Sequence, residues 1–262
     1  MKLSPSAGRS ADALLSDELL SDEAMRAELT AIGAERYHDK HPFHQLLHSG
    51  RLNHGQVQAW VVNRFYYQWR IPIKDATLIA RSDDPAFRRA WRQRLVEHDG
   101  EGENAGGIAR WLVLAEAVGL DPDYVRSTEG ILPATRFAVD AYVRFVGEKP
   151  LVEAVASSLT ELFAPAIHKT RIDGLLAHYS FANEKTIAYF RQRLVEAPQD
   201  VAFGLDFVLR RARSRKEQEA VLAAVRFKTD VLWAMLDALH HAYVEPGHIP
   251  PGAFKPKEEA AR

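Results

Sequence analysis

Several helical stripes of this sequence carry polar side chains where apolar ones belong. Residues three and four apart share one face of a helix. By that rule Val221, Val225, Lys228, Leu232, Met235 and Leu239 form one stripe with a lysine in its middle. Phe87, Trp91, Arg94 and His98 form a second, and Val57, Val61, Arg64 and Gln68 a third. His168 and Arg171 lie one turn apart, as do Tyr189 and Arg193. A buried, unpaired cation is costly, so each needs a partner, a shifted pKa or an anion-binding cavity. Long basic side chains can instead snorkel outward, or pair with a buried carboxylate such as Glu97, Asp140 or Glu161. Recurrence on several helices favours a shared polar cavity, the kind of site that helical bundles build from facing helices. Arg64, Arg94, Arg171, Arg193, Lys74 and Lys228 would make that cavity cationic. Its natural guest is a small molecule with several carboxylates or phosphates, held by forked guanidinium contacts. The accompanying histidines and tyrosines supply groups that move protons near neutral pH.

Other chemistries fit the residues less well. The chain has no cysteine, which excludes disulfides, thiolate metal sites, iron–sulfur clusters and a cysteine nucleophile. Glu35 and His38 have the Glu-x-x-His spacing of di-iron bundles, but those need a second such motif, and none is present. His38, His41, His44 and His48 cluster in sequence, yet His41-Pro42 interrupts the helix and only His44 and His48 are four apart. A haem with a histidine ligand stays open, without any c-type attachment motif. Gly100, Gly102, Gly106 and Gly107 have neither the spacing nor the context of a nucleotide loop. They read as a flexible loop beside His98 that orders when ligand binds. The run Arg64-Phe65-Tyr66-Tyr67 superficially suggests nucleic acid. Against it, 34 basic residues balance 35 acidic ones, and nucleic-acid binders usually carry a basic excess.

The elements that must position these residues are helical throughout. Ser21 caps a helix to about Arg36, and Asn53 with Gln56 is a capping box opening a long helix kinked at Pro72. Asp84-Pro85 and Asp121-Pro122 start further helices, and Gly119 stops the one between. Pro133, Pro150 and Pro165 sit at first-turn positions, and Ser214 with Glu217 opens a last helix of about 30 residues ending near Pro246. No alternating β-branched run competes. The expected class is all-α, a compact bundle of seven to nine helices. One domain spans 21–250, after a disordered lead-in over 1–20 and before a loose tail over 251–262. The most apolar stretch, Leu151 to Ile167, is interrupted by Glu153 and Glu161 and is too short to span a bilayer. With no secretory signal in the N-terminal residues, a cytoplasmic location is expected.

The strings YHDKHPFHQLLHSG, NRFYYQWRIPIKDA, WRQRLVEHDG, TRFAVDAYVRF, ASSLTELFAP and RFKTDVLWAMLDAL, in this order between about residues 30 and 250, closely resemble the pyrroloquinoline-quinone synthases. The resemblance implies a haem-oxygenase-like helical fold, usually a homodimer, that needs neither metal nor organic cofactor. It implies ring closure and oxidation of a bicyclic tricarboxylate precursor to pyrroloquinoline quinone (PQQ), with dioxygen reduced to hydrogen peroxide. By matching strings, Tyr37, His38, Arg64, Gln68, Lys74, Arg94, His98, Tyr142, Thr160, Glu161, Arg171 and Lys228 would line the substrate pocket. His98 would be the main general base, with Tyr37 and His38 also in the catalytic set. His168, Tyr189 and Arg193 would handle dioxygen. Other PQQ-biosynthesis proteins are possible partners. A carrier that holds PQQ without chemistry would need the same cationic cavity, and iron- or haem-dependent oxygenases share the fold. Thiamine-salvage hydrolases of this fold use a cysteine that the chain lacks.

Overall fold

The computed structural model describes residues 18–257. Residues 1–17 of the expected lead-in and 258–262 of the expected tail lie outside the described residues. Side-chain caps set most helix starts, as the sequence signals imply. Ser21 accepts the Ala24 N–H at 3.1 Å and opens α1 (Asp22–Arg36). After a 3-10 turn at His38–Lys40, α2 (Pro42–His48) is capped by the His41 ring, which accepts the Phe43 N–H at 3.0 Å. Asn53 and Gln56 exchange side-chain and backbone bonds of 2.8 Å each, opening α3 (His54–Ala80). Asp84 caps α4 (Pro85–Asp99), and α5 (Gly106–Ala117) ends before Gly119, whose φ is +75°. Asp121 caps α6 (Pro122–Ser127). The remaining helices are α7 (Pro133–Glu148), α8 (Leu151–Ala156), α9 (Ala164–His178), α10 (Ala188–Arg211) and α11 (Arg215–Tyr243). Ser214 accepts the Glu217 N–H at 3.2 Å, and the Glu217 carboxylate returns to the Arg213 N–H at 2.8 Å.

Eleven α-helices among the described residues exceed the seven to nine expected. The helices that no start signal marks are α2 and α10, whereas the apolar stretch 151–167 divides, as Pro150 and Pro165 imply, into α8, a 3-10 segment at Ser157–Phe163 and the start of α9. Pro165 has no N–H to give the Glu161 carbonyl. The Ala164 N–H takes that carbonyl one residue earlier, at 3-10 spacing. Pro150 precedes α8 rather than lying within its first turn. The long α3 runs unbroken through Pro72, about 40 Å at 1.5 Å per residue. No strand forms among the described residues; the only β-like pairing is a bridge between Glu101 and Asn104.

That bridge lies within 99–107, the segment expected to be a flexible loop. Glu101 and Asn104 exchange two backbone bonds of 3.0 Å each, closing a tight turn. Its glycines permit close approach: a Cβ on Gly106, at φ +77°, would lie 2.5 Å from the Gly100 nitrogen. Residues 254 and 256, in the expected tail, contact the helical body. Phe254 donates its N–H to Gly130 O at 2.9 Å, its own carbonyl accepts from Tyr243 Oη at 2.8 Å, and Pro256 packs against Gly55.

Helix α3 packs against α4, α5 and α7, while α11 packs against α1, α7, α8 and the 157–163 segment. α10 lies on α8, α9 and that same segment. Two large apolar clusters result, one around Trp60, Trp111 and Phe190, the other around Phe87, Trp91 and Val225. Between them the inward stripes of α3, α4, α9, α10 and α11 bring their polar members together. No described helix is long and apolar enough to cross a membrane.

Candidate active site

The polar members meet in one cavity of about 50 Å³. From the 3-10 turn and the residue before it come His38 and Tyr37, from α3 Arg64, Tyr67 and Gln68, and from α4 His98. The 157–163 segment gives Thr160 and Glu161, α9 gives His168 and Arg171, and α10 gives Tyr189 and Arg193. Lys74, Arg94, Tyr142 and Lys228 stand directly behind this wall. Lys228 Nζ donates to the cavity residue Tyr67 at 2.6 Å, and Arg94 grips the cavity residue Glu161 through both terminal nitrogens at 2.9 and 2.5 Å.

The six expected cations separate into two groups. Lys74 Nζ is 2.5 Å from Asp75 Oδ1, which also accepts from Trp91 Nε1 at 2.7 Å. Arg94 adds Asp200 at 2.8 Å to its Glu161 contact. Arg193 is held by Glu97 and Glu196 at 3.1 Å each, Asp200 at 3.3 Å and Glu161 at 3.5 Å. For these three cations, pairing with buried carboxylates is the outcome, and the cavity is less cationic than six free charges would make it. Asp140 is not among the partners; it sits half-exposed and accepts from Tyr66 Oη at 2.6 Å.

The other three have no carboxylate at ion-pair distance among the described residues. Arg64 lies 4.1 Å from the Tyr67 ring centre. Lys228 is 1% exposed, with its ammonium 3.9 Å from the Tyr142 ring centre and 4.3 Å from that of Tyr67. Burial, with Arg64 and Lys74 nearby, pushes the Lys228 pKa well below its ordinary value. Arg171 sits between the Trp60 and Phe190 rings, at 5.5 and 5.4 Å. Burial and Arg64 press even its guanidinium pKa down to about 9. Cations held this way keep their field available to an anionic guest.

The proton-moving groups are placed for exchange. His98 Nδ1 lies 3.0 Å from the Arg94 carbonyl. A neutral ring therefore carries its proton there and presents the Nε2 lone pair as a base. Burial and the neighbouring Arg193 lower its pKa to about 4, keeping it neutral at pH 7. Tyr189 Oη donates to Gln68 Oε1 at 2.8 Å, and Gln68 Nε2 is left buried without a partner. His168 Nδ1 and Arg171 Nε are likewise buried and unsatisfied. Buried polar atoms rarely stay unmatched, so these three are open to a ligand or to water. The Tyr37 and Tyr189 hydroxyls have pKa values raised by burial, which makes them donors in the resting site.

A model of the TENA/THI-4/PQQC family matches residues 26–238. The chain belongs to this family. The protein named pyrroloquinoline-quinone synthase in Rhizobium rhizogenes is 64% identical over 236 residues, covering 90% of this chain and 96% of the relative. The protein of the same name in Rhizobium meliloti is 64% identical over 240 residues, covering 92% and 94%. Among solved structures, a Shewanella denitrificans domain of unknown function with a heme oxygenase-like fold superposes with a TM-score of 0.68 at 13% identity, over 91% of this chain and all of that one. A TenA homolog from Pseudomonas syringae gives the same score at 10% identity, over 85% and 96%. These two likenesses establish the haem-oxygenase-like fold.

Within this family fold the residues picked from the stripes converge, while Glu35 and His38 part. Glu35 lines an outer groove with Trp233 and Asp237, whereas His38 lines the cavity. Sequence reasoning missed Tyr67, which joins Arg64, Lys228 and Tyr142, and it missed Ile71, Ala164, Ile167 and Leu232, the apolar part of the lining. Tyr67 follows Arg64 by three residues and so shares its face, a signal obscured by the aromatic run 65–67. Asp75, Glu196 and Asp200 were also missed. Acidic side chains on α3 and α10 read as solvated until the fold shows them buried against Lys74, Arg94 and Arg193.

Proposed function

We propose that this chain is a pyrroloquinoline-quinone synthase, an oxidase that closes a ring and oxidises a bicyclic tricarboxylate precursor to PQQ. The names of its 57–64% identical relatives support the assignment. The single observation that carries it into chemistry is that unpaired cations and neutral proton acceptors face one cavity. Arg64 and Arg171 take the carboxylates, Lys228 joins them as the walls part to admit the ligand, and Gln68 Nε2 and Thr160 add hydrogen bonds. His98 Nε2 removes protons from the bound precursor, with Tyr37 and His38 bordering the same space. The electron-rich anion that results can reduce dioxygen, a reluctant acceptor from closed-shell groups. Each dioxygen takes two electrons from the substrate and two protons from the site, and leaves as hydrogen peroxide. Arg193, His168 and Tyr189 stabilise the reduced oxygen species by hydrogen bonding, since carboxylates already offset the Arg193 charge. In this reading neither metal nor organic cofactor takes part, and the protein works as a cytoplasmic homodimer alongside other PQQ-biosynthesis proteins.

Mixing protein and precursor without oxygen, then admitting air, separates an oxidase from a carrier. The expected result is an absorbance change on anaerobic mixing, from deprotonation in the site, followed by quinone formation once oxygen enters. A static spectrum in both stages, with PQQ itself still bound tightly, would favour the carrier.

A further inference from the structure

Arg171 is the one wholly buried guanidinium of the cavity that no carboxylate holds. Its sole protein hydrogen bond among the described residues runs from Nη2 to His44 Nε2, at 3.3 Å. His44 is itself 2% exposed, and its other ring nitrogen lies 2.9 Å from the His38 carbonyl. These two contacts fix its chemistry. A guanidinium can only donate, so Nε2 must accept, Nδ1 must carry the proton, and Nδ1–H donates to His38 O. The imidazole is therefore neutral. Its charged and titratable neighbours are Arg171 of α9, His38 of the 3-10 turn and His48 of its own helix α2, whose ring stacks on it at 5.4 Å. Burial, Arg171 and the two neighbouring rings oppose a proton on His44 and outweigh the bond to His38 O that favours one, so it stays neutral well below the ordinary histidine pKa.

We infer that His44 is a positioning residue that orients Arg171 toward an anionic ligand without cancelling its charge. Arg94 and Arg193 show the contrasting design, in which carboxylates hold the guanidinium and consume its field. A neutral acceptor costs the ligand nothing: it steers the fork while the full positive charge remains for a carboxylate in the cavity. Through His38 O the same ring ties the 3-10 turn to α9, so two cavity walls share one anchor. The inference rests on the reading that the cavity binds a polycarboxylate.

Three substitutions separate steering from charge sparing. Gln keeps an acceptor toward Arg171 and a donor toward His38 without charge. Leu removes both bonds and leaves Arg171 uncompensated. Glu keeps an acceptor but adds a negative charge. PQQ and pyridine-2,6-dicarboxylate serve as probes in titration calorimetry, with circular dichroism confirming helix content. The expected order of affinity is wild type, then His44→Gln within about threefold, then His44→Leu, with His44→Glu weakest by tenfold or more. His44→Glu should nonetheless melt no lower than His44→Leu. Purely structural support predicts the opposite, with Glu binding as well as or better than Leu, and that order would overturn the inference. So would equal affinity in all variants, or failure of wild type to bind either probe. Wild type that binds the dicarboxylate with the expected variant order but rejects PQQ would retain the role of His44 and refute the PQQ assignment.

Discussion

Lys228 keeps its ammonium between two tyrosine rings with one hydroxyl as its hydrogen-bond acceptor, an arrangement that a folded chain gains little from by itself. Burying an uncompensated charge costs free energy, so the residue belongs to the ligand's account rather than the fold's. Lys228→Met keeps the apolar stem and removes the charge. Losing a charged hydrogen bond of about 1.5–3 kcal/mol should weaken PQQ binding by roughly 10- to 150-fold, with unchanged or raised thermal stability. Unchanged affinity in calorimetry would mean that Lys228 only fills space. Glu97 gives a second prediction at this scale. Burial, with Asp200 alongside, raises its pKa to about 8 despite its contact with Arg193, whose charge near neutral pH is met by its other carboxylate contacts. An acid that holds its proton more tightly when folded stabilises most below the unfolded value near 4.5, and that contribution fades as pH rises through about 8. Glu97→Gln should therefore remove part of the fall in melting temperature between pH 5 and pH 8.5. Parallel melting curves for the two proteins across that range would refute the assignment of the proton to Glu97.

At the scale of elements, the residues that make the site also needed backbones that approach closely. Gly174 of α9 meets α2 so tightly that a Cβ would lie 2.3 Å from the His48 carbonyl oxygen. Backbone cannot yield as a flexible side chain can, so Gly174→Ala should cost about 1–3 kcal/mol as overpacking and lower the melting point by several degrees. It should weaken ligand binding too, since α2 carries His44 and α9 carries Arg171. A variant as stable as wild type would show that the two helices separate freely. Much of this architecture was legible in advance. Ser21, Asn53, Asp84, Asp121 and Ser214 announce helix starts because a cap is local chemistry, needing only residues two or three positions away. The stripes exposed Arg64, Arg94, His98, Arg171, Arg193 and Lys228 for the same reason. The break at 157–163 was legible only in part, because Pro165 marks the next helix start but does not say how the residues before it wind. The carboxylate set of Asp75, Glu196 and Asp200 was not legible. A charge on a helix surface becomes a buried partner only when another helix brings its counterion, and that is a tertiary fact.

For the whole molecule, the near balance of 34 basic and 35 acidic residues conceals a partition inside the cavity. One side has guanidiniums neutralised by carboxylates, and the other has cations held by rings, a hydroxyl and a neutral imidazole. On the proposed function a polycarboxylate would be drawn to the second side, leaving Arg193 and His98 to face the part of the ligand where protons and electrons leave. Sites for small molecules usually enclose about 300–1,000 Å³, so a cavity of about 50 Å³ admits a tricyclic product only if its walls part. The 3-10 segment Ser157–Phe163, with its poorer hydrogen-bond geometry, borders the cavity through Thr160 and Glu161. The claim on which the account depends is that this protein, by itself, oxidises its substrate with dioxygen. The direct measurement is turnover of precursor in air by purified protein stripped of metals with a chelator, following quinone absorbance, oxygen uptake and peroxide together. The account predicts quinone at several equivalents per protein, with peroxide formed as oxygen is consumed. No quinone, or quinone only after iron or haem is restored in stoichiometric amount, would contradict it.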